Sequence, residues 1–315
     1  MTLSAVDILK ARKNLEGVVY NTPLTYSKGL SEVSNAEVYV KWENLQKTGS
    51  FKIRGAYHKI CTLTPEERSK GVITCSSGNH GLATALVAKM MGIKAIIVVP
   101  VTTPKIKVEK IKEFGAEIVQ KGENYDVALE YCKKIAPKTG ATYISSFDDY
   151  QLIAGQGTIG CEILEDIPDV ETIVVPAGGG SILSGIAIWA KSINPKIRMI
   201  GAQSTATYTM HECFRARKLV DVPVPPTIAE GLAGAISQVT LDLALKYVDD
   251  IVLAKEEKLK EAILWVLKNE RQVVEGSGVV GQAAILQKKI KFKRDEKVVV
   301  VVSGGNIDME LLGLK

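Results

Sequence analysis

Aromatic residues make up only 6% of this 315-residue chain, and it has just three histidines and five cysteines. The cysteines, Cys61, Cys75, Cys132, Cys161 and Cys213, are odd in number, widely spaced and without a CxxC pair. That argues against a disulfide framework and for a reduced, intracellular protein. With no HExxH and no histidine at ligand spacing from a cysteine, no zinc centre is expected, and the metal expectation is none. No run approaches the ~18 apolar residues that a membrane span needs. Met1–Asp7 run straight into a helical pattern, and the expected location is the cytoplasm, with no membrane partner. A charge excess is missing too: 40 Lys and Arg stand against 35 Asp and Glu, a net +5, with the signs interspersed. No nucleic-acid partner is expected, and Lys288–Arg294, the densest basic stretch, reads as a solvated helix end and loop. A 46% hydrophobic fraction beside 24% charged residues excludes disorder. The length fits about two domains or one large α/β unit.

What the chain has in quantity is short β-branched runs: Glu37–Val40, Val72–Thr74, Ala95–Val99, Thr172–Val175, Arg198–Gly201, Ile251–Leu253 and Val298–Val302. Runs without polar alternation predict strands buried on both faces. Between them lie helix-period segments, Leu82–Met91, Lys105–Phe114, Tyr125–Ile135, Ile182–Lys191, Lys258–Asn269 and Val280–Lys289. Such alternation predicts an α/β protein with a largely parallel sheet flanked by helices. Ligands in such folds bind beyond the carboxyl ends of the strands.

Four junctions could carry chemistry. Cys75-Ser76-Ser77-Gly78-Asn79-His80-Gly81 follows one strand and Ala177-Gly178-Gly179-Gly180-Ser181 another. Consecutive glycines let backbone N–H groups converge at a helix start, a receptive place for an anion, although a tight turn needing positive φ would use the same residues. Neither turn is GxGxxG or GxxxxGK[ST], which argues against a dinucleotide or P-loop fingerprint. Ser303-Gly304-Gly305-Asn306 follows the most hydrophobic run, so a central strand delivers it. Finally, Lys47–Gly55 is a polar approach to a helix beginning near Lys52. A lysine there is ordinarily solvated; if buried, its pKa falls and its neutral amine becomes available for Schiff-base chemistry. His80 could equally cap its helix and Asn79 serve only the turn.

Taken in order, Gly49-Ser50-Phe51-Lys52-Ile53-Arg54-Gly55-Ala56, Ser76-Ser77-Gly78-Asn79-His80-Gly81, Ala154-Gly155-Gln156-Gly157-Thr158, Gly178-Gly179-Gly180 and Ser303-Gly304-Gly305-Asn306 closely resemble the serine/threonine dehydratase and serine racemase family. The resemblance runs from about Thr22 to Asp308. It implies a two-domain, fold type II pyridoxal 5'-phosphate enzyme with open, twisted, mostly parallel sheets. The expected large cofactor domain is 1–52 plus 147–315, and the small substrate domain 53–146.

The resemblance assigns roles residue by residue. Lys52 would carry the cofactor covalently and remove the substrate Cα proton, with Phe51 beside the ring. Gly178, Gly179, Gly180 and Ser181 match the phosphate loop, although most relatives have a fourth glycine where Ser181 stands. Asn79 matches the residue that hydrogen-bonds the ring's 3′ oxygen, and Ser303 the partner of the pyridine nitrogen. A hydroxyl does not hold that nitrogen protonated, which favours elimination. Ser76, Ser77, Gly78, Asn79 and His80 would bind the substrate carboxylate through a helix start. Leu82 departs from the glutamine of many relatives. Ser77 matches the second acid/base of racemising relatives and keeps a serine racemase with side dehydratase activity as the alternative. No carboxylic acid stands out in the motifs, which leaves the cofactor phosphate as candidate proton donor to the departing hydroxyl. Gln203-Ser204-Thr205-Ala206-Thr207 stands where relatives hold a divalent cation with acidic residues. With Lys315 directly after the Ser303 loop, no C-terminal regulatory domain or isoleucine feedback through one is expected.

The expected reaction is therefore conversion of L-threonine, L-serine or a related β-hydroxy amino acid to a 2-oxo acid and ammonia by a homodimer or homotetramer. A β-replacement synthase and a non-catalytic anion-binding protein are the remaining alternatives.

Overall fold

Five consecutive valines, Val298–Val302, leave no polar face for solvent, and each is fully buried. They belong to the strand Lys297–Val302, third in a six-stranded sheet. The computed structural model describes residues 3–234 and 236–313; residues 1, 2, 235, 314 and 315 of the expected large domain lie outside the described residues. Along the chain the strands are β1 Leu24–Tyr26, β2 Glu37–Trp42, β3 Val72–Cys75, β4 Ala95–Val99, β5 Glu117–Gln120, β6 Thr142–Tyr143, β7 Thr172–Pro176, β8 Arg198–Ser204, β9 Asp250–Ala254 and β10 Lys297–Val302.

The larger sheet has the order β1-β2-β10-β7-β8-β9, parallel throughout except for β1 against β2. The smaller has the order β5-β4-β3-β6 and is wholly parallel. Because side chains alternate along a strand, β10 feeds two cores at once. Val298, Val300 and Val302 join the apolar cluster that includes Val280 and Ala283 of the helix Gly276–Leu286, while Val299 and Val301 join the one around Leu183 and Ile186 of the helix Ser181–Ile193. A separate core around Ile53, Ile97 and Ile111 serves the smaller sheet.

The seven expected strands are all present, most of them longer by one to three residues. Three were not expected. β1 and β6 are too short to show a pattern, and β5, Glu-Ile-Val-Gln, lies at a sheet edge with polar ends. The helix expected from Leu82 begins at Asn79, capped at Gly78, because its first turn is polar and carries no apolar period. The helix expected to end at Lys289 ends at Leu286; Lys288, at φ 55°, cannot continue it.

The Ala154–Thr158 motif lies inside the helix Tyr150–Asp166, which its glycines conceal from a propensity reading. Those glycines serve close packing. A Cβ on Gly155 would stand 2.6 Å from the Arg54 carbonyl oxygen, and one on Gly185 2.5 Å from that of Ile153. Three helices, Lys52–Cys61, Tyr150–Asp166 and Ser181–Ile193, therefore meet backbone to backbone, and Lys52 starts the first.

Candidate active site

The parallel sheets deliver three junctions at carboxyl ends: β3 leads to Ser76–Gly81, β7 to Ala177–Ser181 and β10 to Ser303–Asn306. The Lys52 segment is fastened to the last of these by Phe51 N–H donating to the Ser303 carbonyl at 3.1 Å, Gly305 N–H donating to that of Gly49 at 2.9 Å, and a Ser50–Gly304 bridge. Phe51 is 7% exposed and its ring centroid lies 5.1 Å from Lys52 Nζ. Nζ itself donates to the Ser146 carbonyl at 2.8 Å, just beyond β6 of the smaller sheet. No carboxylate pairs with it at salt-bridge distance among the described residues, and desolvation, partly offset by the charge of Glu275, brings its pKa down to about 8.

The glycine loop reaches the same place through Phe147, next to Ser146. A Cβ on Gly179 would stand 2.5 Å from Phe147 Cγ, well inside carbon contact distance, and Gly180 has φ +93°. The loop therefore presents backbone where any other side chain would collide. Ser181, 3% exposed, opens the helix Ser181–Ile193 directly behind it.

On the β3 junction, Ser76 Oγ accepts from Gly78 N–H at 3.3 Å, and Ser76, Ser77, Gly78 and Asn79 are half-buried. A Cβ on Gly81 would meet the Ser76 carbonyl oxygen at 2.2 Å, so the loop folds tightly onto its helix. His80 points the other way. It is 2% exposed, its Nε2 lies 3.3 Å from the Ile144 carbonyl, which it donates to, and its Nδ1 has no protein partner. Desolvation, reinforced by Lys52, lowers its pKa to about 3, so the imidazole is neutral and only its backbone N–H can serve a carboxylate.

Asn79 Nδ2 donates to Glu275 Oε1 at 2.7 Å, and Asn79 Oδ1 accepts from Asn306 Nδ2 at 2.8 Å; Asn306 Nδ2 also donates to the Thr48 carbonyl at 2.7 Å. The structure thus brings Lys52, Phe51, Asn79 and Ser303 into one linked neighbourhood, with Gly178–Ser181 joined to it through Phe147. Glu275 is absent from the sequence reading. Its signal was a carboxylate between Val274 and Gly276 at a helix start where Ser, Thr, Asp or Asn is the usual cap. Desolvation raises its pKa to about 7, against the opposing Asn79 hydrogen bond and with Glu230 adding to the rise.

A second missed feature lies two residues beyond Lys52. Arg54 is fully buried, with Nε and Nη2 on Glu43 at 2.8 and 2.7 Å and Nη1 and Nη2 on Glu162 at 2.6 and 2.9 Å. Thr158 Oγ1 and the Tyr20 carbonyl each stand 3.3 Å away, so the whole guanidinium fork is satisfied. Burial alone would lower its pKa; Glu43 and Glu162 more than reverse this and raise it. Buried Lys41 completes the group, 2.6 Å from Glu162 and from the Thr22 carbonyl. Two cations and two carboxylates thereby clamp the first turn of the Lys52 helix to β2 and to the helix Tyr150–Asp166.

In the Gln203–Thr207 segment, Gln203 Oε1 accepts from His211 N–H at 2.8 Å. No described helix is long and apolar enough to cross a membrane, and the five cysteines are unpaired.

The sequence matches the family "Pyridoxal-phosphate dependent enzyme" over residues 15–304. It is 46% identical over 308 residues to an L-threonine ammonia-lyase of Thermotoga maritima, covering 97% of this chain and 76% of that protein. It is 39% identical over 305 residues to the catabolic L-threonine dehydratase of Escherichia coli, covering 96% and 93%. Its fold superposes on maize serine racemase with a TM-score of 0.95 at 34% identity, covering 99% of this chain and 96% of that one. The match across nearly the whole chain makes this protein a member of the pyridoxal-phosphate dependent enzyme family.

Proposed function

We propose that this chain is a dehydratase, or ammonia-lyase, that converts L-threonine, L-serine or a related β-hydroxy amino acid into a 2-oxo acid and ammonia by α,β-elimination. The observation that carries the reading is the Lys52 amine, desolvated and held on the Ser146 carbonyl, in a chain 46% identical to a threonine ammonia-lyase.

The residues present fit pyridoxal phosphate. A Cβ at Gly179 would fill the loop and collide with Phe147, so Gly178–Ser181 offer backbone N–H groups and a helix start to the phosphate. When bound, the cofactor supplies an electron sink for the pair left at Cα. Lys52 Nζ would be its attachment point and would take the Cα proton; a pKa near 8 leaves a useful neutral fraction close to neutral pH. Phe51 would pack beside the ring, Asn79 would donate to the ring oxygen, and Ser303 would serve the ring nitrogen. The Ser303 hydroxyl would not hold that nitrogen cationic, which would favour departure of the β-hydroxyl, leaving as water once protonated, over prolonged storage of charge on the ring. Ser76–His80 hold the substrate carboxylate on N–H groups at the start of the helix Asn79–Met91.

In this reading residues 1–52 and 147–315 form the cofactor domain and 53–146 the substrate domain. The Lys52–Ser146 hydrogen bond lies where both boundaries meet. The enzyme works as a cytoplasmic homodimer or homotetramer.

Release of a 2-oxo acid and ammonia in a one-to-one ratio from L-threonine or L-serine supports the assignment; ammonia without oxo acid, or no oxo acid from any of a panel of β-hydroxy amino acids that includes both, would overturn it. The half-buried Ser77 and the likeness to maize serine racemase favour one second reading, a racemase with side elimination. Ser77→Ala then abolishes D-serine formation while sparing oxo acid.

A further inference from the structure

Glu275 is an N-cap residue that does not cap. Its φ and ψ, −90° and 164°, are those of an N-cap, and its carbonyl accepts from Gly278 and Val279 as a helix start requires. Its carboxylate makes no cap hydrogen bond. Glutamate is a poor choice for this position, and replacing a non-capping residue by a good one is worth about 1 kcal/mol. The side chain instead turns out of its helix to Asn79 Nδ2, 196 residues away in sequence, at 2.7 Å.

Room for it is made on the other side. A Cβ on Gly304 would stand 2.4 Å from Glu275 Oε1 and 3.2 Å from Asn79 Nδ2, so residue 304 admits the contact only as glycine. Asn306 completes the arrangement by donating to Asn79 Oδ1 and fixing which end of that amide is the oxygen. An asparagine amide has two N–H donors. With one committed to Glu275 and the oxygen to Asn306, the second N–H is the remaining group, in a fixed orientation.

We propose that Glu275 is a positioning residue: its carboxylate locks the Asn79 amide so that an N–H, and not the carbonyl oxygen, is offered to the 3′ oxygen of bound pyridoxal phosphate. The proposal rests on the reading of Asn79 as a cofactor contact. The helix Gly276–Leu286 forgoes its own cap to supply that orientation.

The test is cofactor affinity and its spectrum, measured by absorbance titration of cofactor-free protein with pyridoxal phosphate, alongside thermal unfolding of the same preparations. Four proteins are compared: parent, Glu275→Ser, Glu275→Gln and Asn79→Ala. Glu275→Ser supplies a capping hydroxyl but cannot reach Asn79, so it should unfold no earlier than the parent while binding cofactor about tenfold more weakly, the loss of one hydrogen bond. Glu275→Gln retains an amide oxygen for Asn79 Nδ2 and should restore affinity to within about threefold. Asn79→Ala should weaken binding at least as much as Glu275→Ser and shift the bound cofactor's absorption band in the same direction. If Asn79→Ala leaves affinity and spectrum unchanged, the reading of Asn79 is wrong. If Asn79→Ala changes both but Glu275→Ser changes neither, the positioning role is wrong. A Glu275→Ser protein that merely unfolds earlier, with parental affinity at lower temperature, also overturns it.

Discussion

Arg54→Met removes the cation at the centre of the buried cluster while keeping most of the side-chain volume. In the parent, Arg54 and Lys41 balance Glu43 and Glu162, and both Arg54 and Glu43 have no exposed side-chain surface. The substitution leaves Glu43 with only Thr22 Oγ1, at 2.6 Å, as a close side-chain partner, and one carboxylate in excess. Breaking a buried pair from one side costs about 3–5 kcal/mol, because the uncompensated charge keeps its desolvation penalty. The assay is urea unfolding of the cofactor-free protein by far-UV circular dichroism, which avoids stabilisation by bound cofactor. The companion Glu43→Gln/Arg54→Met removes both charges and leaves Lys41 with Glu162, so it should recover at least about half of the loss. A loss below about 1 kcal/mol for Arg54→Met, the range of surface pairs, would refute the reasoning. So would a double variant no more stable than the single one.

Gly179→Ala drives a methyl group to within 2.5 Å of Phe147 Cγ, so the ring must move; overpacking of about 1–3 kcal/mol and weaker cofactor retention on dialysis are expected, and parental retention would contradict the close-packed loop. In the cofactor-free protein, Glu275 with its raised pKa of about 7 contributes stability below pH 4.5 that is lost as pH rises through 7. The unfolding free energy of the parent minus that of Glu275→Gln should therefore grow as pH falls from 7 to 4.5, by up to about 1.4 kcal/mol per unit. His80 acts oppositely: its lowered pKa of about 3 means that stability present above pH 6.5 is lost as pH falls toward 3. The two offset each other between pH 4.5 and 6.5, so Glu275→Gln alone should lose stability on acidification across that window, followed by thermal melts; a flat profile for the variant would contradict the assignment.

Chemistry carried by backbone was legible in the sequence. Gly178–Ser181 and Ser303–Asn306 announce themselves because turns that converge N–H groups need glycine, and Val298–Val302 announces a buried strand because nothing polar interrupts it. Lys52 emerged from its motif, not from periodicity. Chemistry carried by pairing was not legible: Arg54 meets Glu162 across 108 positions and Asn79 meets Glu275 across 196, and no local pattern encodes such a meeting. His80 was readable as part of the loop but not as a neutral core imidazole, since only the fold turns it toward Ile144. The helix Tyr150–Asp166 escaped notice because three glycines in its middle disguise it, and they are there for the close approach of its neighbours.

The central claim is that Lys52 moves the Cα proton of a β-hydroxy amino acid, and its most direct test is proton NMR, with a chiral assay, of pyridoxal-phosphate-loaded protein given L-threonine and L-serine in D₂O. The account predicts 2-oxobutyrate and pyruvate from the parent and, from Lys52→Ala, neither product nor Cα deuterium exchange. Oxo acid or Cα exchange from Lys52→Ala at the parental rate would contradict it.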